Sequence, residues 1–246
     1  MNALIIIPAR MASTRLPNKM LAAIGEKPLI AHTYESVVAS QVGDVIVACD
    51  AEEIACAIRK VGGTAILTDH ALSSGTDRVF AALTQYDPAE KYEFIINVQG
   101  DMPFIAPEFI RGARAIVEES NYDMSTLATP IEDDAYLIDS VVKPAIAFTS
   151  RNSGQALYFS RSPIPHGGPY FHHVGIYCFR RKALEKYVSL PQSPLEKTEK
   201  LEQLRMLENQ MTIGITVVDQ ASPISVDTPT DLERAREFYA ASANER

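Results

Sequence analysis

Three cations, Arg10, Arg15 and Lys19, follow closely on a short apolar run, Leu4–Ile7. Ligands of open α/β sheets bind beyond the carboxyl ends of the strands. A cationic loop at such a place suits an anion, although a solvated basic loop would show the same residues. Asp101 stands in Gln99-Gly100-Asp101-Met102-Pro103, directly after the apolar run Phe94–Val98. A carboxylate just past a buried strand is placed for a hard divalent cation such as Mg2+. An aspartate beside glycine is also ordinary turn chemistry. A second carboxylate, Asp227, lies in Val226-Asp227-Thr228-Pro229-Thr230-Asp231. There Thr228 is read as a helix cap with Asp231 at the N3 position. Asp227 is left outside the cap, available as a second metal ligand. The turn Ser73-Ser74-Gly75-Thr76-Asp77 can cap a helix or bring backbone N–H groups to a ligand. Neither glycine-rich phosphate fingerprint is present, and the loop before Gly25 holds no glycine, so side-chain charge must replace a backbone cradle.

The elements that must position these groups read as alternating strands and helices. Leu4–Ile7, bounded by Pro8, has the continuous apolar character of a buried parallel strand. A helix follows from Pro28, with Leu29, Ile30, Tyr34, Val37 and Val38 at three-and-four spacing. Asp44–Cys49 is a strand, Asp50 the expected N-cap of a helix over Glu52–Lys60, and Ala65–Leu67 a third strand. This β-α-β-α-β opening implies a parallel sheet with right-handed crossovers. Further helices are expected over Arg78–Tyr86 and Pro107–Glu119, and strands over Phe94–Val98, Met124–Ala128, Ala145–Phe148, Phe171–Phe179 and Ile213–Val218. The Pro/Gly-rich piece from Ile164 to Pro169 reads as a turn or flap beside Arg161. His172 and His173, adjacent on a strand, face opposite ways and so do not ligate one metal. Ser193-Pro194-Leu195-Glu196 is a capping box opening a helix that runs to about Glu208. On that helix Glu199 and Glu202 share a side, the ordinary pattern of a solvated face.

With 246 residues the chain can bury a large core without staples. A net charge of -8 argues against a general nucleic-acid binder. Three scattered cysteines, Cys49, Cys56 and Cys178, with no C-x-x-C, read as reduced thiols of a cytoplasmic protein rather than a metal site. No signal peptide is expected, and no apolar run reaches the ~18 residues of a membrane span. No side chain presents itself as a covalent nucleophile.

Taken together, these segments resemble the cytidylyltransferases that activate eight- and nine-carbon ulosonic acids, above all those acting on 3-deoxy-D-manno-octulosonate (Kdo). The likeness covers nearly the whole chain. It rests on Ile7-Pro-Ala-Arg10, Ala12-Ser-Thr-Arg-Leu-Pro17 with Lys19, Ser74-Gly-Thr76, Asn97-Val-Gln-Gly-Asp101 and Ala156-Leu-Tyr-Phe-Ser-Arg161. It continues in His173-Val-Gly-Ile-Tyr177, Ser193-Pro-Leu-Glu196, Leu201-Glu-Gln-Leu-Arg205 and Val226-Asp-Thr-Pro229. The resemblance implies an α/β fold: a three-layer α/β/α arrangement with a mostly parallel mixed sheet, of the Rossmann-like nucleotide-diphospho-sugar transferase type. It implies one nucleotidyltransferase domain over residues 1–246, with residues 151–208 as a sugar-binding and dimerisation segment. The implied reaction transfers CMP from CTP to the anomeric hydroxyl of Kdo, with Mg2+, giving pyrophosphate and CMP-Kdo for lipopolysaccharide biosynthesis. By the same likeness Arg10, Lys19 and Asp101 are catalytic. Ala9, Arg10, Arg15, Lys19, Ser74 and Gly75 bind the nucleotide, and Asp101 and Asp227 hold the metal. Gln99, Arg161, His173, Tyr177 and Glu202 line the sugar pocket, with Arg161 as a carboxylate clamp. The protein is expected to be a cytoplasmic homodimer without nucleic-acid or membrane partners.

Three departures from the family pattern stand out. Asn18 replaces a usual glycine, a change that asparagine's tolerance of left-handed dihedrals accommodates. Met102 replaces a usual glutamate after Gln-Gly-Asp. The segment Pro165 to His173 is short. Two rivals are a sialic-acid cytidylyltransferase, disfavoured by His173 and Leu201–Arg205, and a dinucleotide-dependent dehydrogenase, disfavoured by the missing glycine fingerprint. A third, a non-catalytic nucleotide binder, is at odds with Lys19, Asp101 and Asp227.

Overall fold

The computed structural model describes residues 2–72, 74–220 and 223–244; Ser73, first residue of the hydroxyl-rich turn, lies outside them. The chain forms two compact units. The first takes the residues up to Tyr92, Asn97–Glu108 and those from Pro223 onward; the second takes Glu93–Ile96 and residues 109–220.

The spine of the first unit is β1 (Ala3–Ala9), buried at every residue. Such a run suits a strand covered on both faces. The expectation that Pro8 ends this strand is corrected: Pro8 stands within it, in register with Ala48. Proline forfeits its N–H but keeps its carbonyl. After β1 come a 3-10 turn (Lys19–Leu21) and a small hairpin, β2 (Ala23–Ile24) and β3 (Lys27–Pro28), neither among the expected elements. Then follow α1 (Leu29–Ala39), β4 (Asp44–Cys49), α2 (Glu52–Lys60), β5 (Thr64–Leu67) and α3 (Gly75–Tyr86). β4 pairs in parallel with both β1 and β5, as the β-α-β-α-β reading requires.

β6 (Phe94–Asn97) and α4 (Pro107–Glu118) lead into the second unit, with β7 (Met124–Pro130), β8 (Lys143–Phe148), β9 (Ser153–Ser160) and β10 (Phe171–Arg180). α5 (Arg181–Ser189), α6 (Pro194–Glu199), α7 (Leu204–Glu208) and β11 (Ile213–Val217) complete it. Its strands neighbour one another in the order β6-β10-β7-β11-β9-β8. β11 runs parallel to β7, whereas β10 against β7, β9 against β11 and β8 against β9 are antiparallel. α8 (Pro229–Asn244) belongs to the first unit. No helix among the described residues is long and apolar enough to cross a membrane. All three cysteines are free; Cys49 and Cys178 are buried and Cys56 is exposed.

Two further local expectations are overturned. The helix from Ser193 to Glu208 is two short helices, because Lys200 takes left-handed dihedrals, φ 58° and ψ 45°. Arg161 accounts for the break: its Nε donates to the Glu199 carbonyl at 2.8 Å and its Nη2 to the Lys200 carbonyl at 3.4 Å. Those acceptors are satisfied from outside the helix, so the helix need not continue. A buried bidentate pair, Arg205 Nε and Nη2 on Glu196 at 2.8 and 2.6 Å, then staples α6 to α7. Asp50 is also not a cap. The N-cap of α2 is Ala51, with no side-chain bond, and Asp50 is engaged elsewhere.

Candidate active site

At the carboxyl end of β1 the first unit encloses a cavity of about 350 Å³. Ala9, Arg10, Arg15 and Lys19 line it from the loop after β1, and Ser74 and Gly75 from the start of α3. Gln99, Asp101 and Asp227 line it as well. The first unit thus gathers every expected nucleotide and metal residue, together with Gln99, around one space.

At its centre Lys19 Nζ bonds Asp101 Oδ2 at 2.7 Å and Asp227 Oδ1 at 3.0 Å. Arg15 Nη2 reaches the same Asp227 oxygen at 3.0 Å. Burial alone would lower the Lys19 pKa, but the charge and hydrogen bonds of Asp101 and then Asp227 outweigh it and raise the pKa above the usual lysine value. Lys19 is therefore held as a cation between two carboxylates.

The backbone explains why these groups meet. The Val226 N–H donates to the Asp101 carbonyl at 2.9 Å, which sets the segment before α8 beside the Gln-Gly-Asp turn. Asp231 accepts from the Thr228 N–H at 2.9 Å and the Asp227 N–H at 3.2 Å, forming the expected cap. Although burial pushes the Asp231 carboxyl up, the Thr228 hydroxyl, donating at 2.8 Å, and then these two N–H groups hold it below the ordinary aspartate range. The Asp227 carboxylate stays outside the cap, as the sequence suggested. A Cβ on Gly100 would fall 2.9 Å from the Pro8 carbonyl oxygen and 3.1 Å from Ile30, so the turn approaches β1 only because that residue has no side chain. Asn18 adopts φ 54° and ψ 31°, the left-handed region its type tolerates. Met102 is buried, 7% exposed, so the position of the missing glutamate is an apolar anchor. At α3, Ser74 Oγ accepts the Asp77 N–H at 3.0 Å and caps the helix.

Sequence reasoning missed Arg78, which lines the cavity at only 3% exposure, and Asp50, its partner. The signal for Arg78 was its spacing: four residues after Ser74, it shares a helix face with the cap.

The other four expected sugar residues fall in the second unit. His173 is 7% exposed, and its Nε2 lies 2.9 Å from Thr126 Oγ1. The Thr126 hydroxyl also faces the Ile176 carbonyl at 2.8 Å and the Val174 carbonyl at 3.2 Å, both acceptors only. On that basis we assign His173 Nε2 as the donor to Thr126 and Nδ1 as an acceptor. Burial, with a smaller contribution from His172, pushes the His173 pKa down to about 3, so the ring is neutral. The Tyr177 hydroxyl donates to Gln203 Oε1 at 3.3 Å, and burial with the nearby Glu202 charge drives its pKa well up, keeping it a donor. The Gln203 Nε2 is buried and has no partner among the described residues. Gln203 belongs to the Leu201–Arg205 segment but is not among the expected sugar residues. The Glu202 carbonyl accepts the Tyr187 hydroxyl at 3.2 Å. Arg161 spends N–H groups on the Glu199, Lys200 and Asp139 carbonyls, the last at 2.9 Å. Glu199, expected on a solvated face, instead accepts the Arg161 N–H and the Ser160 hydroxyl, each at 3.1 Å.

A family model described as cytidylyltransferase matches residues 4–213. A 3-deoxy-manno-octulosonate cytidylyltransferase from Azorhizobium caulinodans is 48% identical over 99% of this chain and 98% of its own. One from Paramagnetospirillum magneticum is 45% identical over 97% of this chain and 98% of its own. Among solved structures, a CMP:2-keto-3-deoxy-manno-octonic acid synthetase complexed with CTP superposes with a TM-score of 0.88 at 37% identity, covering 98% of this chain and 100% of that one. A 4-diphosphocytidyl-2C-methyl-D-erythritol synthase from Anaerococcus prevotii, 15% identical over 97% of this chain and 98% of its own, has a TM-score of 0.65 and shares the fold alone. The fold is thus the α/β nucleotide-diphospho-sugar transferase type, a mostly parallel mixed sheet with flanking helices.

Proposed function

The chain belongs to the cytidylyltransferase family, and we infer that it transfers CMP from CTP to the anomeric hydroxyl of Kdo, releasing pyrophosphate. The observation that carries this reading is the meeting of Lys19, Asp101 and Asp227 in a cavity that Arg10 and Arg15 also line. Transfer of a nucleotidyl group needs positioning and charge compensation more than covalent help.

Each residue has a task that its chemistry allows. Arg10 and Arg15 bind the triphosphate and compensate the charge of departing pyrophosphate. Lys19 carries three N–H donors and spends two on carboxylates, so one remains for a phosphate oxygen. Ala9, Ser74 and Gly75 shape the nucleoside end of the cavity. Asp101 and Asp227 would hold Mg2+. Mg2+ is commonly bound by one or two carboxylates with substrate phosphates, and these two already share a cation, the Lys19 ammonium. Among the described residues no larger metal-binding group forms, which fits a metal completed by the nucleotide. When bound, Mg2+ supplies Lewis-acid stabilisation of charge on the phosphate.

For the sugar, we assign Gln99, Arg161, His173, Tyr177 and Glu202. Neutral His173 offers Nδ1 as an acceptor that orients a hydroxyl, and Tyr177 offers its oxygen. Arg161 keeps two of its five N–H groups beyond the carbonyls it holds, enough to meet a carboxylate. The buried Gln203 amide adds a donor for a sugar hydroxyl. The exposed apolar side chains Leu157 and Leu195 support residues 151–208 as a homodimer surface, and the free cysteines suit a cytoplasmic enzyme of lipopolysaccharide biosynthesis. The test is pyrophosphate release from CTP and Mg2+ with Kdo, with sialic acid, or with no sugar. Release with Kdo alone is expected; release with sialic acid in its place would overturn the sugar assignment.

A further inference from the structure

Asp50, directly after β4, ties the loop that follows β1 to α3. Its Oδ1 accepts the Met11 backbone N–H at 2.8 Å, and its Oδ2 lies 3.5 Å from Arg78 Nη2. Arg78 Nη1 donates to Thr68 Oγ1 at 2.6 Å and to the Asp69 carbonyl at 3.2 Å. The Thr68 hydroxyl donates to the carbonyl of Cys49 at 3.0 Å, the residue before Asp50. The bonds therefore close a ring through the ends of β4 and β5 and the first turns of α3. Both charged side chains are removed from water, at 8% exposure for Asp50 and 3% for Arg78.

A buried ion pair adds little to stability by itself, since desolvation offsets its attraction. This pair grips one specific backbone group. Met11 follows Arg10 in a loop without glycine, and the exposed side chains of Arg10 and Arg15 are presented from that loop. Fixing the loop before the ligand arrives reduces the ordering cost of binding.

We propose that Asp50 is a positioning residue for the nucleotide: it holds the cationic loop through the Met11 N–H, and Arg78 holds Asp50 in place. The proposal rests on the assignment of the cavity to CTP.

The experiment measures CTP binding by calorimetry and steady-state kinetics for the wild type, Asp50→Ala and Asp50→Asn. Asparagine keeps a carbonyl oxygen for Met11; alanine does not. Asp50→Ala is expected to weaken CTP binding about tenfold, the scale of one charge-assisted hydrogen bond. Asp50→Asn should recover most of that loss, and the KM for Kdo should be unchanged in both. Equal CTP affinity in Asp50→Ala and wild type, or an Asp50→Asn as weak as the alanine variant, would overturn it. If Asp50→Ala does not fold, hydrogen exchange at the Met11 amide of Asp50→Asn decides: a protected amide with near wild-type affinity supports the role, and a protected amide with lost affinity contradicts it. Failure of the wild type to bind CTP would instead overturn the assignment of the cavity.

Discussion

The Val226 N–H meets the Asp101 carbonyl at 2.9 Å, and this bond brings together two carboxylates that lie far apart in the chain. Asp101 and Asp227 then share the Lys19 ammonium. Replacing Asp101 by asparagine leaves the backbone bond intact but removes one of two charges. Turnover should fall by about a hundredfold or more, the scale of losing a charge-stabilising group, with an unchanged circular dichroism spectrum. Turnover close to wild type would remove Asp101 from the metal site.

Gly100 offers a steric test of the same turn. An alanine Cβ there would press on the Pro8 carbonyl at 2.9 Å and on Met20 Sδ at 3.2 Å. Gly100→Ala should destabilise the protein by about 1–3 kcal/mol and weaken CTP binding, read by thermal melts and calorimetry. A wild-type melting temperature would mean the turn relaxes freely.

His173 gives a pH signature. Its folded pKa is pushed down to about 3 from an ordinary 6.5, chiefly by burial. Between those values the unfolded chain binds a proton that the native state refuses. Stability from this group is full above pH 6.5 and is lost as pH falls toward 3, by at most ~1.4 kcal/mol per pH unit. Urea unfolding at pH 7 and pH 5 should show a smaller loss for His173→Gln than for wild type. Identical losses would place His173 in contact with solvent.

Arg161 and Glu199 hold the bend that carries Glu202 and Gln203. Arg161→Ala releases the Glu199 and Lys200 carbonyls, and Glu199→Ala removes acceptors for Ser160 and the Arg161 N–H. Both should raise the KM for Kdo about tenfold or more while leaving the KM for CTP near its wild-type value, since each change loses at least one charge-assisted bond. Equal effects on both substrates would dissociate this bend from the sugar.

The first unit was legible because its signals are local. The β-branched run of β1, the Ser74 cap and the Thr228–Asp231 cap each depend on neighbours in sequence. So did the choice of Arg10, Arg15, Lys19 and Asp101, which follow strand ends, and of Asp227, which stands just before a cap. What escaped depends on partners distant in the chain. Asp50 reads as a helix cap until Met11 and Arg78 are seen to claim it. The break at Lys200 is invisible in a sequence that keeps helical spacing, because Arg161, far upstream, satisfies the carbonyls that a continuing helix would use. β9 escaped for another reason: its small Gly154 and Ala156 dilute the alternation that marks a strand.

The most direct measurement is the Mg2+ dependence of pyrophosphate release from CTP and Kdo, in the wild type and in Asp101→Asn and Asp227→Asn. If the two carboxylates hold the metal against the nucleotide, both variants should need far more Mg2+ and turn over slowly even at saturation. A Mg2+ requirement identical to wild type in both would contradict the site built around Lys19, Asp101 and Asp227.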